Sequence, residues 1–236
     1  MPRTKSPLWE SSEIEKRILL HRDDLIVFNK PYDWPTSGHN LEDDDCVQYH
    51  LINYLREKGL ITPTTKHPRG MVWAVHQLDA DTTGLLLFTT NKKRVHHYHT
   101  QLASPETEKR YLAIVSGSPT WEQHTETTSI GKFSDGTRGA LSETAGGQSA
   151  RTDFTVLERH PSHTVLSARL HTGRTHQIRL HLQIMKHPLL GEEWYAPTPC
   201  KKHFRQALHA HAITSFKIPL APTEEDLKQF LKTEPL

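Results

Sequence analysis

The chain has 236 residues, 35% of them hydrophobic, with 29 Lys plus Arg against 27 Asp plus Glu. That length admits one large or two small domains with a substantial core, and a formal charge of +2 is not by itself the basic footprint of a nucleic-acid-coating domain. Cys46 and Cys200 lie far apart without a C-x-x-C, and no apolar run has the length of a membrane span or signal peptide; a disulfide scaffold, a Cys-based zinc site and a membrane-spanning chain are excluded, and a soluble cytoplasmic protein is expected.

Residues 1–22 read as a polar, partly ordered arm, with Pro2 and Pro7 and a helical stretch from Ser12 to Leu20; the main domain is expected over 23–236. Asp24 to Asn29 is a strand that stops at Lys30-Pro31, because proline cannot donate to a ladder. On the residues alone, Lys30 is a solvated turn lysine. Asp44 or Asp45 can cap a helix running to about Lys58, with Val47, His50, Leu51, Tyr54 and Leu55 on one face and Gly59 at its end. A basic, proline-rich connecting loop follows over 61–70. Leu85 to Phe88 is an unbroken apolar run continued by Thr89 and Thr90, the pattern of a buried strand. The polar turn before it holds Asp79, Asp81, Thr82, Thr83 and Gly84, a residue suited to positive φ. Asp79 stands between Leu78 and Ala80, beside the core and reachable. Aspartate in such a loop most often bonds turn N–H groups, and it can also present a reactive carboxylate on a rigid element.

Asn91 can cap a helix to about Leu102. Within its His96-His97-Tyr98-His99 segment only His96 and His99 share a face, and no carboxylate joins them, so a histidine-rich surface is read rather than a metal site. Glu108 to Gly117 starts basic and becomes a β run, in which Tyr111 reads as a core tyrosine. Residues 118–150, rich in Thr, Ser and Gly, read as short strands and mobile loops. Ala150–Leu157 and His163–Leu170 pair across a Pro161-Ser162 turn. Gly173 then makes a turn, and Thr175 can cap a helix with Ile178, Leu182 and Met185 on its apolar face. Arg174 stands at the loop-to-helix junction, and His176, Arg179 and His181 either hold the junction or face a polyanion. A strand runs through Phe216, and an acidic helix starts near Thr223.

Several of these stretches, in this order, resemble the RluA-type pseudouridine synthases. His76-x-Leu78-Asp79-x-x-Thr82-Thr83-Gly84-Leu85 is similar to the family's H-R-L-D-x-x-T-S-G-L, with Gln77 in place of Arg. Asn29 to Pro35 resembles N-K-P-x-G-x-P, with Asp33 for Gly, and Lys109 to Gly117 resembles K-x-Y-L-A-x-V-x-G. Thr172 to Leu182 resembles T-G-R-x-H-Q-I-R-x-H-L, His187 to Tyr195 resembles H-P-I-x-G-D-x-x-Y, and Arg205 to Ala210 resembles R-x-x-L-H-A. The likeness spans roughly 23–220, and the form expected is the short one, without an N-terminal module of the S4 type.

The resemblance implies an α/β (α+β) fold on a mixed, largely antiparallel sheet with a central RNA-binding cleft. It implies isomerisation of uridine to pseudouridine, with no cofactor and no metal. Asp79 falls on the catalytic aspartate, Arg174 on the arginine that pairs with it, and Tyr111 on the tyrosine that stacks on the target base. RNA contacts are expected from Gln77, His76, Lys109, His176 and Arg179, with Gln77 where the family's Arg fills the gap left by the flipped uridine. The expected partner is a tRNA or rRNA stem-loop, met by a monomer away from membranes. Two rivals are a non-catalytic RNA-binding or assembly factor on the same fold and, remotely, a histidine metalloenzyme; tritium release from 5-labelled uridine and metal analysis discriminate them.

Overall fold

Helix α1 (Ser11–Arg17) buries Ile14 and runs directly into strand β1 (Ile18–Arg22), which pairs antiparallel with β2 (Leu25–Lys30). The structure is a computed structural model that describes residues 9–38, 40, 43–196, 205–223 and 227. The chain divides into two units, residues 1–102 with 216–222 and residues 103–215 with 223–236. The boundary expected near residue 22 falls between two hydrogen-bonded strands of the first unit.

In that unit, helix α2 is Val47–Glu57, β3 is Trp73–Ala74 and β4 is Thr83–Thr89. β4 pairs antiparallel with β2, from Leu25↔Thr89 to Lys30↔Gly84, and with β3. Every residue of β2 and β4 is buried, which is why both runs are apolar without alternation. Gly84 takes φ 101 one residue inside β4. A 3-10 turn at Lys92–Arg94, with the Asn91 side chain accepting from the Lys93 N–H as expected, leads into helix α3 (Val95–Ala103). Asp24 ties these pieces together, accepting from Tyr98 Oη (2.8 Å) and Thr89 Oγ1 (3.0 Å) with Arg94 Nη1 3.2 Å away. Burial, with Asp24 beside it, pushes the Tyr98 phenol up to about 12.

α2 does not start as the sequence suggests. Neither Asp44 nor Asp45 caps it; the N-cap is Cys46, with no side-chain cap bond. The first N–H groups are satisfied by tertiary partners instead, Val47 by the Pro35 carbonyl (3.0 Å) and Gln48 by the Thr36 carbonyl (3.1 Å). Its end is as expected: Gly59 at φ 69 turns the chain, with Leu60 N–H bonding back to the Leu55 carbonyl and Gly59 N–H to Arg56.

The second unit is built on β5 (Lys109–Ser116), β6 (Gln123–Glu126), the β7 (Ile130–Lys132) and β8 (Arg138–Ala140) hairpin, β9 (Thr152–Arg159), β10 (His163–Leu170), helix α4 (Gln177–Ile184) and β11 (Leu208–Ile213). The sheet order is β11-β5-β10-β9-β6, and every pair is antiparallel. β9 and β10 form the hairpin expected across Pro161-Ser162, and the 118–150 region supplies β6, β7 and β8. Ala113, Val115, Phe154, Leu166, Ala168 and Leu208 meet Ile178 and Leu182 of α4 in one core. β11 stops at Ile213, short of the expected end, and Phe216 lies in the following turn at φ 64. Cys200 and most of the acidic helix expected from Thr223 lie outside the described residues. The architecture is thus the α/β class expected, with largely antiparallel sheets. Among the described residues no helix is long and apolar enough to cross a membrane.

Gly191 and Gly59 both have φ near 70, but their surroundings differ. A Cβ on Gly191 would lie 1.8 Å from the Arg205 carbonyl oxygen, whereas one on Gly59 meets nothing within 4 Å. Gly59→Ala should therefore cost only the left-handed strain, about 1 kcal/mol, and Gly191→Ala about 3 kcal/mol or more, because backbone must also move. Urea unfolding of the two variants checks this, and equal costs would refute it.

Candidate active site

Asp79 lies in the first unit, in the loop between β3 and β4, and its neighbours are fixed one by one. His76 Nε2 accepts the Leu87 N–H (3.2 Å), and Val75 N–H donates to the Leu87 carbonyl (2.8 Å). Thr36 Oγ1 accepts the Leu78 N–H (3.1 Å) and donates to the Leu78 carbonyl (3.2 Å), occupying both backbone groups. Lys30, at the end of β2, is fully buried; its Nζ donates to the carbonyls of Pro31 (2.8 Å), Trp34 (2.8 Å) and Ala80. The Thr82 N–H closes the turn on the Asp79 carbonyl (3.1 Å). Asp79 is half-buried between the Leu78 and Ala80 anchors, which hold its main chain in place. A single carboxylate so held suits nucleophilic or general-base work.

Tyr111 and Arg174 lie in the second unit. Tyr111, half-buried on β5, stands opposite Ala168 of β10 and Ala210 of β11 and packs against the core of this unit. Arg174 is in the loop between β10 and α4, its Nε donating to the Ser149 carbonyl (2.9 Å). That loop is organised by the amide of Gln177, 3% exposed. Gln177 Oε1 accepts from Thr172 Oγ1 (2.8 Å) and from the Arg174 N–H (3.0 Å). Its Nε2 donates to the Arg151 carbonyl (3.0 Å) and Thr152 Oγ1 (2.9 Å), so the amide uses both its acceptor positions and both its donors. The Thr152 hydroxyl continues to His181 Nδ1 (2.9 Å), and His181 Nε2 lies 3.0 Å from the Thr128 carbonyl. A carbonyl can only accept, so the proton sits on Nε2 and Nδ1 accepts from Thr152. Burial lowers the His181 pKa and keeps the ring neutral, as this chain requires.

One expectation about this loop is corrected. Thr175 caps nothing; the N-cap of α4 is His176, at φ 57 and without a cap bond, and Gln177 does the organising. Arg179, expected among the RNA contacts, is 6% exposed and committed to Glu192 through two parallel bonds, Nε–Oε2 2.8 Å and Nη2–Oε1 2.7 Å. Burial acts to raise the Glu192 carboxyl, but the Arg179 bonds and charge, with the Trp194 and Tyr195 N–H groups, hold it below the ordinary 4.5. The other residues expected at the RNA differ in freedom. Gln77 is exposed, its Nε2 3.4 Å from Ser37 Oγ. His76 spends Nε2 on Leu87, and His176 Nδ1 is 2.6 Å from Tyr195 Oη. Lys109 is half-buried on β5, and desolvation lowers its pKa. His96 and His99 are exposed on α3, and among the described residues no group of three or more His, Cys, Asp or Glu is placed to hold a metal ion.

Lys30→Met removes one donor from three carbonyls and leaves the Asp79 loop without its anchor, which should cost on the order of 3 kcal/mol in urea unfolding; an unchanged midpoint would show that the ammonium is dispensable. For His181, the unfolded ring titrates near the ordinary 6.5 and the folded ring lower. Falling pH protonates the unfolded chain first, so the stabilisation is full above that value and is lost as pH drops below it towards the folded pKa. His181→Gln should therefore flatten the fall in stability between about pH 7.5 and 5.5 relative to the parent chain. Parallel curves for the two proteins would refute this.

The chain can now be set beside known proteins. The RNA pseudouridylate synthase family model matches residues 24–184. Ribosomal large subunit pseudouridine synthase D of Vibrio cholerae is 32% identical over 93% of this chain and 71% of its own length. Ribosomal large subunit pseudouridine synthase C of Haemophilus ducreyi is 29% identical over 98% of this chain and 74% of its own. Among solved structures, human RNA pseudouridylate synthase domain containing 4 superposes with a TM-score of 0.69 at 20% identity, covering 92% of this chain and 95% of that one, a likeness of fold. The family match covers more than half of the chain and includes Asp79, Tyr111 and Arg174, so the chain belongs to the RNA pseudouridylate synthase family, enzymes that isomerise uridine within RNA.

Proposed function

We propose that this enzyme modifies uridine in RNA of the large ribosomal subunit, with Asp79 as the catalytic carboxylate, Arg174 as its cationic partner and Tyr111 as the ring that stacks on the uracil. The observation that carries the reading is the Asp79 loop, in which the residues on either side are pinned by Thr36 and Lys30 and Asp79 between them is half-buried. The substrate class rests on the relatives from Vibrio cholerae and Haemophilus ducreyi, both named for the ribosomal large subunit.

The reaction breaks the N1–C1′ bond, turns the uracil and joins C5 to C1′. N1 gains a proton and C5 loses one, so neither redox chemistry nor group transfer is involved. One ionised carboxylate can serve as nucleophile or base. A guanidinium suits the partner role because it stays charged and can make two parallel bonds to a carboxylate. The uridine must leave its stack, at a cost of a few kcal/mol that an unpaired loop reduces. Gln77 is exposed and planar at its amide, and fills the gap left by the flipped base without adding a charge to the RNA contact.

A second reading, a non-catalytic RNA-binding factor, is favoured by the neutral Gln77 where the family pattern has Arg. Asp79→Ala separates the two. It should lower tritium release from 5-labelled uridine in ribosomal RNA by on the order of 10⁴-fold or more while the unfolding midpoint and RNA affinity stay close to those of the parent chain. Asp81→Ala, two residues on, should retain most turnover. Activity surviving in the first variant and lost in the second would move the catalytic role to Asp81, and a parent chain that binds RNA without releasing tritium would favour the binding factor.

Gln77→Arg should tighten RNA binding and steepen the dependence of log affinity on log salt by about 0.7, the contribution of one extra phosphate contact on a single strand. Titrations of both proteins against one ribosomal stem-loop across a salt series measure this. Identical affinities and slopes would show that residue 77 does not face the RNA.

A further inference from the structure

Trp194 is the most exposed of the large hydrophobic side chains among the described residues, at 69%. It is nevertheless anchored. Its backbone N–H donates to Glu192 Oε1 (3.0 Å), the oxygen that also takes the Arg179 Nη2 bond (2.7 Å) and the Tyr195 backbone N–H (3.4 Å). The Arg179 guanidinium carbon lies 5.0 Å from the Trp194 ring centroid and 5.1 Å from that of Tyr195, so a buried cation backs the indole. The His176 ring is 5.4 Å from the indole, tilted by 59°, and is itself bonded to Tyr195.

Leaving so large an apolar ring in water forgoes about 2 kcal/mol or more of burial, and fixing its main chain forgoes freedom as well. A fixed, exposed π face backed by a guanidinium is the arrangement on which an unpaired base stacks. The neighbouring charge says which part of a nucleotide fits. Glu192 is neutralised by Arg179, but Glu193, the preceding residue in the chain, is exposed and its charge disfavours phosphate, which leaves the base as the group that meets the indole. The chain also puts this ring near the Arg174 loop: His176 is two residues from Arg174, at most about 7 Å along the backbone.

We propose that Trp194 is a stacking platform for an unpaired nucleobase of the RNA substrate, a base other than the one isomerised. The proposal rests on the reading of this chain as an enzyme that binds RNA. The platform accepts any base, because every base has a π face, and it adds affinity without adding to salt dependence.

The test uses the full chain and a 5′-fluorescein-labelled, mixed-sequence single-stranded RNA, with binding followed by anisotropy across a salt series. Trp194→Ala and Trp194→Leu should each weaken binding about 5- to 150-fold, the equivalent of 1–3 kcal/mol for one stacked base, with an unchanged salt slope. Trp194→Phe, which keeps a π face, should stay within about 3-fold of the parent. A 5-iodouridine version of the same RNA should photo-crosslink the parent chain at Trp194, a readout that no variant's folding can affect. Parent-like binding by Trp194→Leu would point to a protein-docking or packing role and overturn the proposal. So would a crosslink map without Trp194 while tritium release from ribosomal RNA is intact, and that result would leave the enzymatic reading standing. A parent chain that neither binds RNA nor releases tritium would overturn both.

Discussion

A lysine ammonium with no access to water is costly unless its donors are met. Lys30 meets that condition only when the carbonyls of Pro31, Trp34 and Ala80 converge on it. The first two belong to the chain leaving β2 and the third to the Asp79 loop, so burying this charge and closing that loop are one event. Thr36 repeats the logic by occupying both backbone groups of Leu78. The same segment supplies the carbonyls of Pro35 and Thr36 that receive the first N–H groups of α2. A short stretch after β2 thus sets the start of a helix and the frame of the carboxylate loop.

The second unit follows the same plan with neutral groups. Gln177 fixes the Arg174 main chain through an amide with both donors and both acceptor positions in use, and Thr152 hands the network on to a histidine that burial keeps neutral. In both units the group expected to act is only half-buried, and what is buried is the polar machinery around its backbone. A fully satisfied buried network is rigid, and a partly satisfied one is worse than an apolar core. Positional accuracy therefore comes from residues that a list of reactive groups omits.

That division explains what the sequence disclosed. The apolar runs of β2 and β4 and the β9–β10 hairpin were legible because their burial writes a local pattern, and the family was legible through the motifs around Asp79, Tyr111 and Arg174. Helix starts were not. Asp44 and Asp45 have capping chemistry, yet the first N–H groups of α2 are met by the Pro35 and Thr36 carbonyls, each twelve residues back in the chain. A local rule has no access to such partners. Lys30 looked solvated, and Arg179 could be read either as holding its junction or as facing RNA, for the same reason. A cation's role depends on whether a carboxylate or carbonyl reaches it in space, and Glu192 stands 13 residues beyond Arg179 with no periodic relation to it.

The fate of Arg179 also bears on how the chain engages RNA. With a formal charge of only +2, each cation turned inward reduces what remains for phosphate. Arg179 is spent on Glu192, and Lys109 is partly desolvated with a lowered pKa, while the residue in the family's gap-filling position is a neutral glutamine. Counterion release scales with the number of phosphates neutralised, so a surface arranged this way gains less from the polyanion and leans more on the shape and unstacked bases of its target. Under the proposed reading, that favours uridines already displayed in loops, where flipping costs least.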